Sequence, residues 1–161
     1  MDCIKSYIEK NYSEKRKLHT YGVYDTVREL AGLYGADAEK AGIAALFHDM
    51  YREKGDLEHS KAAASAMEKD FGIEDEDILN AVRFHTTGRA GMSTLEKVVF
   101  LADAIEPSRD YQGVEEIREA ARVDLDRACL LVLESTIEYV RGRGIALDGD
   151  TVEARDWLGG T

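Results

Sequence analysis

The sequence contains little cysteine, little proline and no long apolar run. Its two cysteines, Cys3 and Cys129, lie far apart without a CxxC spacing, which argues against a disulfide framework and against a thiolate zinc site. A single proline among 161 residues argues against a collagen-like or linker-dominated chain. The longest apolar run, residues 41–47, is interrupted by Gly42, so we expect neither a signal peptide nor a membrane-spanning helix. These features predict a cytoplasmic protein with free thiols.

Positive charge is also scarce. Lys and Arg total 21 against 32 Asp and Glu, which gives a formal net charge of −11. Nucleic acids and anionic membranes favour a basic protein face, so we expect neither as the main partner. A small anionic ligand remains compatible if metal ions or a few local cations reverse the field at one site. The 44% of apolar and 33% of charged residues are typical of one compact domain, which we expect over residues 1–161.

Apolar residues recur with the period of an α-helix along most of the chain. No segment alternates convincingly with a period of two, so the sequence predicts an all-α, single-domain bundle of about seven to nine helices. Residues 50–58, which are charged, and 86–93, which are glycine-rich, are expected to be loops. The sequence predicts a short N-terminal helix and further helices at residues 59–70 and 114–121. Other helices are expected to start at Ser13, Asp37, Asp75, Ser93, Asp124 and Thr151. Residues expected to end a helix are Gly35, Gly72 and Pro107.

Three glycines interrupt helical patterns: Gly22, Gly32 and Gly42. Each costs about 1 kcal/mol relative to alanine in a helix interior. Close packing between helices would explain all three, and we favour this structural interpretation over a functional one.

All four histidines and two aspartates fall where the helical pattern places them on or beside apolar faces. An aspartate that is buried without a partner is costly, and no Lys or Arg lies on the same inward stripes. Neutral imidazole and carboxylate groups are the ligands of zinc, iron, manganese and similar ions, so a bound metal ion is the economical explanation. The candidate ligands are His19, His48, Asp49, His59, His85 and Asp103.

The segments that carry these residues resemble a known family. They are KRKLHTYGV, AGIAALFHDMYR, EHSKAAA, AVRFHTTGRAGMS, LEKVVFLADAIEPSRDYQGVEEIR and AARVDLDRA. The order of a His, an adjacent His-Asp pair and a later Asp is similar to HD-domain metal-dependent phosphohydrolases. The wider pattern, over about residues 13–157, resembles the bacterial HD-domain family of symmetrical bis(5'-nucleosyl)-tetraphosphatases. The resemblance implies hydrolysis of diadenosine tetraphosphate to two ADP by a metal-activated water.

The resemblance also implies roles for single residues. His48 and Asp49 would be the central catalytic pair. His59 and His85 would complete a second metal site or meet the substrate phosphates, and iron is the implied metal. Manganese or another divalent transition metal stays open, as does the choice between one ion and two. The implied primary metal ligands are His19, His48, Asp49 and Asp103.

Several other residues are expected to bind the polyphosphate. Arg16 and Arg109 match basic positions near the nucleotide in the family, and Arg52 would add a third cation. Backbone amides of residues 86–88, beginning at Thr86, could hold phosphate oxygens. Arg109 has an alternative role, in which it pairs with a glutamate to hold the loop after Pro107.

The chain departs from the family pattern in the segment 50–58. Only nine residues separate Asp49 from His59, where a much longer insertion is common, so the choice of nucleotide stays open. Arg52 stands in place of a common Lys, and Ser60 in place of the usual Gly. The alternatives are a phosphohydrolase for a deoxynucleoside triphosphate, an alarmone or a cyclic dinucleotide, a di-iron oxygenase, a metal- and nucleotide-binding sensor without turnover, and a purely structural bundle. The assembly that we expect is a homodimer.

Overall fold

The structure, a computed structural model, describes residues 1–55 and 58–160. Over these residues the chain forms nine α-helices, a short 3-10 helix at Arg52–Lys54 and no strand, which confirms the predicted all-α class. The α-helices are α1 (Asp2–Asn11), α2 (Glu14–Tyr34), α3 (Ala38–Phe47), α4 (Glu58–Phe71), α5 (Glu76–Arg83), α6 (Thr94–Ile105), α7 (Val114–Ala121), α8 (Leu125–Gly142) and α9 (Gly149–Gly159).

Most helices begin at the residues that the sequence suggested. The side chains of these residues accept hydrogen bonds from backbone N–H groups of the first turn, which otherwise lack partners. Ser93 and Glu96 form a reciprocal capping box at the start of α6. Gly35 ends α2 in the left-handed conformation, with φ at 72°. The confirmed caps are Ser13, Asp37, Asp75, Ser93 and Asp124.

Three predicted boundaries need correction. Helix α5 ends at Arg83, so His85 lies in the following turn rather than on the helix. Helix α9 begins at Gly149 with Asp148 as its cap, two residues before the expected start at Thr151. The expected loop 50–58 contains the 3-10 helix, while residues 56–57 of that loop lie outside the described part of the chain.

The buried side chains form one apolar cluster with α3 near its middle. Helix α3 packs against α2, α5 and α6, and α2 also packs against α6. Helix α8 lies against α6 and contacts both α7 and α9. Residues 44–47 are all buried, so the chain that follows them emerges from the centre of the core. The adjacent His48 and Asp49 therefore directly follow a buried segment of the core.

The three helical glycines do not share one explanation. A Cβ on Gly42 would lie 2.9 Å from Cε2 of Tyr24, so glycine there permits the close packing of α3 on α2, as predicted. Gly32 faces open space, and the packing prediction is wrong for it. A Cβ on Gly22 would meet the side chain of Glu106, a contact that belongs to the site described below.

Cys3 is exposed and Cys129 is buried, and both are free, as the spacing predicted. Across the described residues, no helix has the length and apolar character that crossing a bilayer requires.

Candidate metal centre

The six candidate ligands come from separate parts of the chain and meet at one place. Three of the histidines, His48, His59 and His85, are fully buried, while the His19 side chain is 15% exposed. Their positions are His19 in α2, His48 and Asp49 directly after α3, His59 in the first turn of α4, His85 in the turn after α5, and Asp103 in α6.

Four donor atoms form what we call the His19 donor set: Nε2 of His19, Nε2 of His48, Oδ1 of Asp103 and Oδ2 of Asp49. Nε2 of His19 lies 3.0 Å from the Asp103 oxygen and 3.2 Å from Nε2 of His48. Nε2 of His48 lies 3.5 Å from the same Asp103 oxygen. Oδ2 of Asp49 lies 3.6 Å from each of the two nitrogens. These atoms could surround one cation.

Three donor atoms form a second group, the His85 donor set: Nε2 of His59, Nε2 of His85 and Oδ1 of Asp49. The two nitrogens are 3.0 Å apart, and the Asp49 oxygen lies 3.3 Å from His59 and 3.9 Å from His85. Asp49 thus directs one carboxylate oxygen to each donor set. This is the geometry that a carboxylate bridging two metal ions requires.

The other ring nitrogen of every histidine is held by an acceptor. Nδ1 of His48 lies 2.5 Å from the Ala45 carbonyl oxygen. The corresponding acceptors are the Gly55 carbonyl for His59, at 2.8 Å, and the Val82 carbonyl for His85, at 2.7 Å. For His19 the acceptor is a carboxylate oxygen of Glu106, at 3.1 Å. Because carbonyls and carboxylates accept hydrogen bonds, these contacts place the proton on Nδ1 and leave the Nε2 lone pair facing the centre.

The donor sets fit a transition-metal ion. Metal–nitrogen and metal–oxygen bonds of about 2.1 Å place neighbouring ligand atoms about 3.0 Å apart in an octahedron and about 3.4 Å apart in a tetrahedron. The observed separations run from 3.0 to 3.9 Å. In addition, Nε2 lone pairs that face each other at 3.0 and 3.2 Å repel unless a cation or a proton lies between them. A metal ion bound between these nitrogen atoms would remove the repulsion.

The electrostatics of the centre favour the metal-binding forms of His85 and of the two aspartates, and they favour a charged His48. Burial opposes charge on His48, but the negative charges of Asp49 and Asp103 outweigh it and raise the pKa of His48 to about 9. Burial and the neighbouring charge of His48 lower the pKa of His85 to about 4. Although burial acts against it, the surrounding imidazoles hold the carboxyl pKa of both aspartates below its usual range. These shifts favour a neutral His85 and ionised aspartates, and a metal cation would replace the proton that the two aspartates favour on His48.

Two of the predicted phosphate-binding arginines lie beside the centre. Arg16 donates from Nη2 to the backbone oxygen of Asp49 at 2.6 Å and stacks on the Tyr12 ring, with 3.9 Å between Cζ and the ring centroid. The Arg52 side chain is exposed, and its Nη1 lies 3.5 Å from Nδ1 of His59. Both arginines approach the centre from the side of the His-Asp pair and the 3-10 helix.

Arg109 lies beside Asp103, where the helical pattern predicted no protein cation. The guanidinium donates to the backbone oxygen of Asp103 at 2.8 Å and to its Oδ1 at 3.1 Å. Asp103 therefore has a protein cation beside it, supplied by the loop after Pro107 rather than by an inward helical stripe. The expected alternative, pairing with a glutamate, is present only as a longer contact of 3.9 Å to Glu106.

The loop after α5 differs in part from the phosphate cradle that we expected. The Gly88 N–H donates to the Phe84 carbonyl at 2.8 Å, so this amide is already used inside the loop. The Thr86 hydroxyl lies 2.9 Å from the hydroxyl of Ser60. Ser60 thus fixes the side chain of Thr86 one residue after His85.

Two neighbours of the centre were not predicted as functional residues. Glu106 binds His19, and Tyr12 supports Arg16. For Glu106 the sequence did carry a signal, because an acidic residue stands directly between the apolar end of α6 and the single proline. Tyr12 had no comparable signal, since its contact depends on how α1 packs.

Known proteins are similar to this chain in sequence and in fold. The HD domain family matches residues 16–108, a range that contains all six candidate ligands. A symmetrical bis(5'-nucleosyl)-tetraphosphatase of Halalkalibacterium halodurans is 40% identical over 94% of this chain and 92% of that protein. The protein of the same name from Bacillus subtilis is 37% identical over 97% of this chain and 94% of its own length.

A solved structure is also similar. The crystal structure at 1.50 Å of a predicted HD superfamily hydrolase involved in NAD metabolism, from Clostridium acetobutylicum, has a TM-score of 0.91 and 42% identity. The match covers 99% of this chain and 96% of that chain. Fold and donor sets together define the class as that of the HD-domain metal-dependent phosphohydrolases. Within that class, the chain belongs to the family of symmetrical bis(5'-nucleosyl)-tetraphosphatases.

Proposed function

We propose that this protein hydrolyses dinucleoside polyphosphates, with diadenosine tetraphosphate as the substrate and two ADP as the products. The observation that carries the proposal is the pair of donor sets linked by the carboxylate of Asp49. Cations held by these two donor sets would suit a polyphosphate, whose reacting phosphorus is surrounded by negative oxygens. The names of the relatives from H. halodurans and B. subtilis support this choice of substrate.

We propose iron as the resident metal, with one ion in each donor set and manganese as the alternative. His19, His48 and Asp103 would hold the first ion, His59 and His85 the second, and Asp49 both. When bound, such ions supply an activated water and neutralise charge on the phosphoryl oxygens. The imidazole-rich donors suit iron, and the carboxylates suit iron and manganese alike.

The protein's own residues would position the substrate for attack at a central phosphorus. Arg109 lies beside Asp103 and Arg52 beside His59, so a cation stands near each donor set to pair with phosphate oxygens. Arg16 would add charge behind Asp49, and the Thr86 hydroxyl a hydrogen bond next to His85. The oxygen of water bonds to one central phosphorus while the bond from that phosphorus to the central bridging oxygen breaks. The bridging oxygen leaves with the second ADP, and the protons of the water are released.

Product chromatography tests the proposed reaction. Metal-replete protein incubated with diadenosine tetraphosphate is expected to yield ADP as the sole nucleotide product, with the Asp49→Ala protein as the blank. ATP together with AMP would keep the chemistry and contradict symmetrical cleavage. Protein that retains its metal and gives no product would favour another nucleotide, and would implicate the short segment 50–58. Tight nucleotide binding without turnover would favour a sensor.

Arg109 provides a test of substrate binding. We expect Arg109→Ala to raise KM for the dinucleotide about tenfold or more, because a charge-assisted contact with phosphate is lost. Arg109→Lys should give an intermediate KM, since lysine keeps the charge and loses the planar fork. Steady-state kinetics with metal content measured in parallel would check this. Arg143→Ala, which removes an arginine that lies over Tyr139 in α8, is the matched control. An unchanged KM in Arg109→Ala would contradict the assigned role.

A further inference from the structure

Glu106 is a carboxylate in an unusual position. It follows the last residue of α6 and precedes Pro107, and only 1% of its surface is exposed. A carboxylate removed from water is destabilising unless hydrogen bonds and opposite charges compensate it. Nothing in the proposed reaction requires Glu106 to touch the substrate. Its burial therefore needs a separate explanation.

The partners of Glu106 point to the metal centre. Oε1 lies 3.1 Å from Nδ1 of His19 and accepts a hydrogen bond from the Ser108 hydroxyl. Oε2 accepts the backbone N–H of Ser108 at 2.9 Å. The turn after α6 thus fixes both oxygens of Glu106. Each of the four histidines has an acceptor at its Nδ1, and only the acceptor of His19 is charged. The acceptors of the other three histidines are neutral backbone carbonyls.

Gly22 makes room for this carboxylate. It lies in α2, one turn after His19, and a Cβ built on it would come within 2.5 Å of Oε2 of Glu106. Distances under about 3 Å force a displacement, and here the atom displaced would be the carboxylate that holds His19. The glycine therefore costs helix propensity in α2 and leaves space for Glu106.

We propose that Glu106 is a positioning residue of the metal centre, and that Gly22 exists to accommodate it. Glu106 holds the Nδ1 proton of His19 and directs its Nε2 lone pair into the His19 donor set. Its negative charge makes that imidazole a stronger ligand than those held by carbonyls. Consequently the His19 donor set binds its ion more tightly than the His85 donor set does. This inference rests on the ligand assignment of the proposed function.

Metal affinity provides a readout that does not depend on activity. The metal-free protein is titrated with Mn²⁺, and the free ion is counted by its electron paramagnetic resonance signal. Glu106→Gln keeps an acceptor for His19 and removes the charge, so we expect the tighter Mn²⁺ dissociation constant to rise about 10- to 100-fold, with the weaker one unchanged. Gly22→Ala is expected to give the same pattern, because it displaces the carboxylate.

Two controls separate this effect from general destabilisation. Glu96→Gln changes another buried carboxylate, in the first turn of α6, which is 3% exposed and is bonded to Arg89 instead of to a histidine. It should leave both Mn²⁺ affinities unchanged. His19→Ala should abolish the tighter site. If the Glu106→Gln protein does not fold, Gly22→Ala still tests the proposal, since alanine favours a helix interior.

The outcomes are distinguishable. If His19→Ala abolishes the tighter site while Glu106→Gln and Gly22→Ala bind Mn²⁺ as the unmodified protein does, Glu106 has no positioning role and the ligand assignment stands. If His19→Ala also binds Mn²⁺ normally, the assignment of the His19 donor set is wrong and the role of Glu106 fails with it. A tenfold or greater loss in both Glu106→Gln and Gly22→Ala, absent from Glu96→Gln, supports the proposal.

Discussion

Asp49→Ala is expected to reduce the rate of hydrolysis by at least about a thousandfold and to remove most of the bound metal. Asp49 is the one residue that places an oxygen in each donor set, 3.6 Å from the nitrogens of one and 3.3 Å from His59 in the other. Its loss therefore weakens both sites at once. Metal analysis of the purified protein and initial rates with diadenosine tetraphosphate would measure the two effects on the same sample.

The matched control for this variant is Asp37→Ala, at the other end of α3. Asp37 caps the helix through the backbone N–H groups of Glu39 and Lys40. Its replacement should cost about 1 kcal/mol of stability, while metal content and activity stay as they are. The ten residues of α3 place this cap about 15 Å from Asp49. Full activity in the Asp49→Ala protein would overturn the central role of the carboxylate, and loss of activity in both variants would point to instability of α3 instead.

The sequence predicted the helices well because their ends carry local signals. A cap such as Asp37 and a left-handed stop such as Gly35 act on the adjacent turn of backbone, so neighbouring residues suffice to recognise them. The errors lie where tertiary contacts decide. The end of α5 before His85 depends on how the turn packs, and Gly32 faces open space although its pattern matched that of Gly42.

The candidate ligands could be found together because each is a polar residue on or beside an apolar face. Their division into a primary set and a second site around His59 and His85 came from the family resemblance, because helical periodicity does not show which way the two oxygens of Asp49 point. The contacts that neighbouring residues make with the ligands could not be predicted from periodicity either. Arg109 and Glu106 come from the chain after α6, and no pattern in the sequence states that one faces Asp103 and the other His19.

The variant His85→Ala distinguishes a centre that binds one metal ion from a centre that binds two. His85 is buried, its Nδ1 is bonded to the Val82 carbonyl, and its Nε2 lies 3.0 Å from Nε2 of His59 and 3.9 Å from Oδ1 of Asp49. We expect metal content to fall from about two ions per chain to about one, and hydrolysis to fall on the order of a hundredfold, because one of two charge-neutralising cations is lost. Elemental analysis after metal-replete purification, together with initial rates, would measure this.

The double variant His59→Ala, His85→Ala decides how this loss is to be interpreted. If the two histidines hold one ion, removing both should cost little more activity than removing either, since the ion is already lost after the first change. If instead they bind substrate phosphates independently, their effects on KM should multiply, and metal content should remain that of the unmodified protein. A single bound ion in the unmodified protein, retained in His85→Ala, would leave the His19 donor set as the whole metal site. The carboxylate of Asp49 would then bind metal through Oδ2 alone, with Oδ1 free to orient the attacking water.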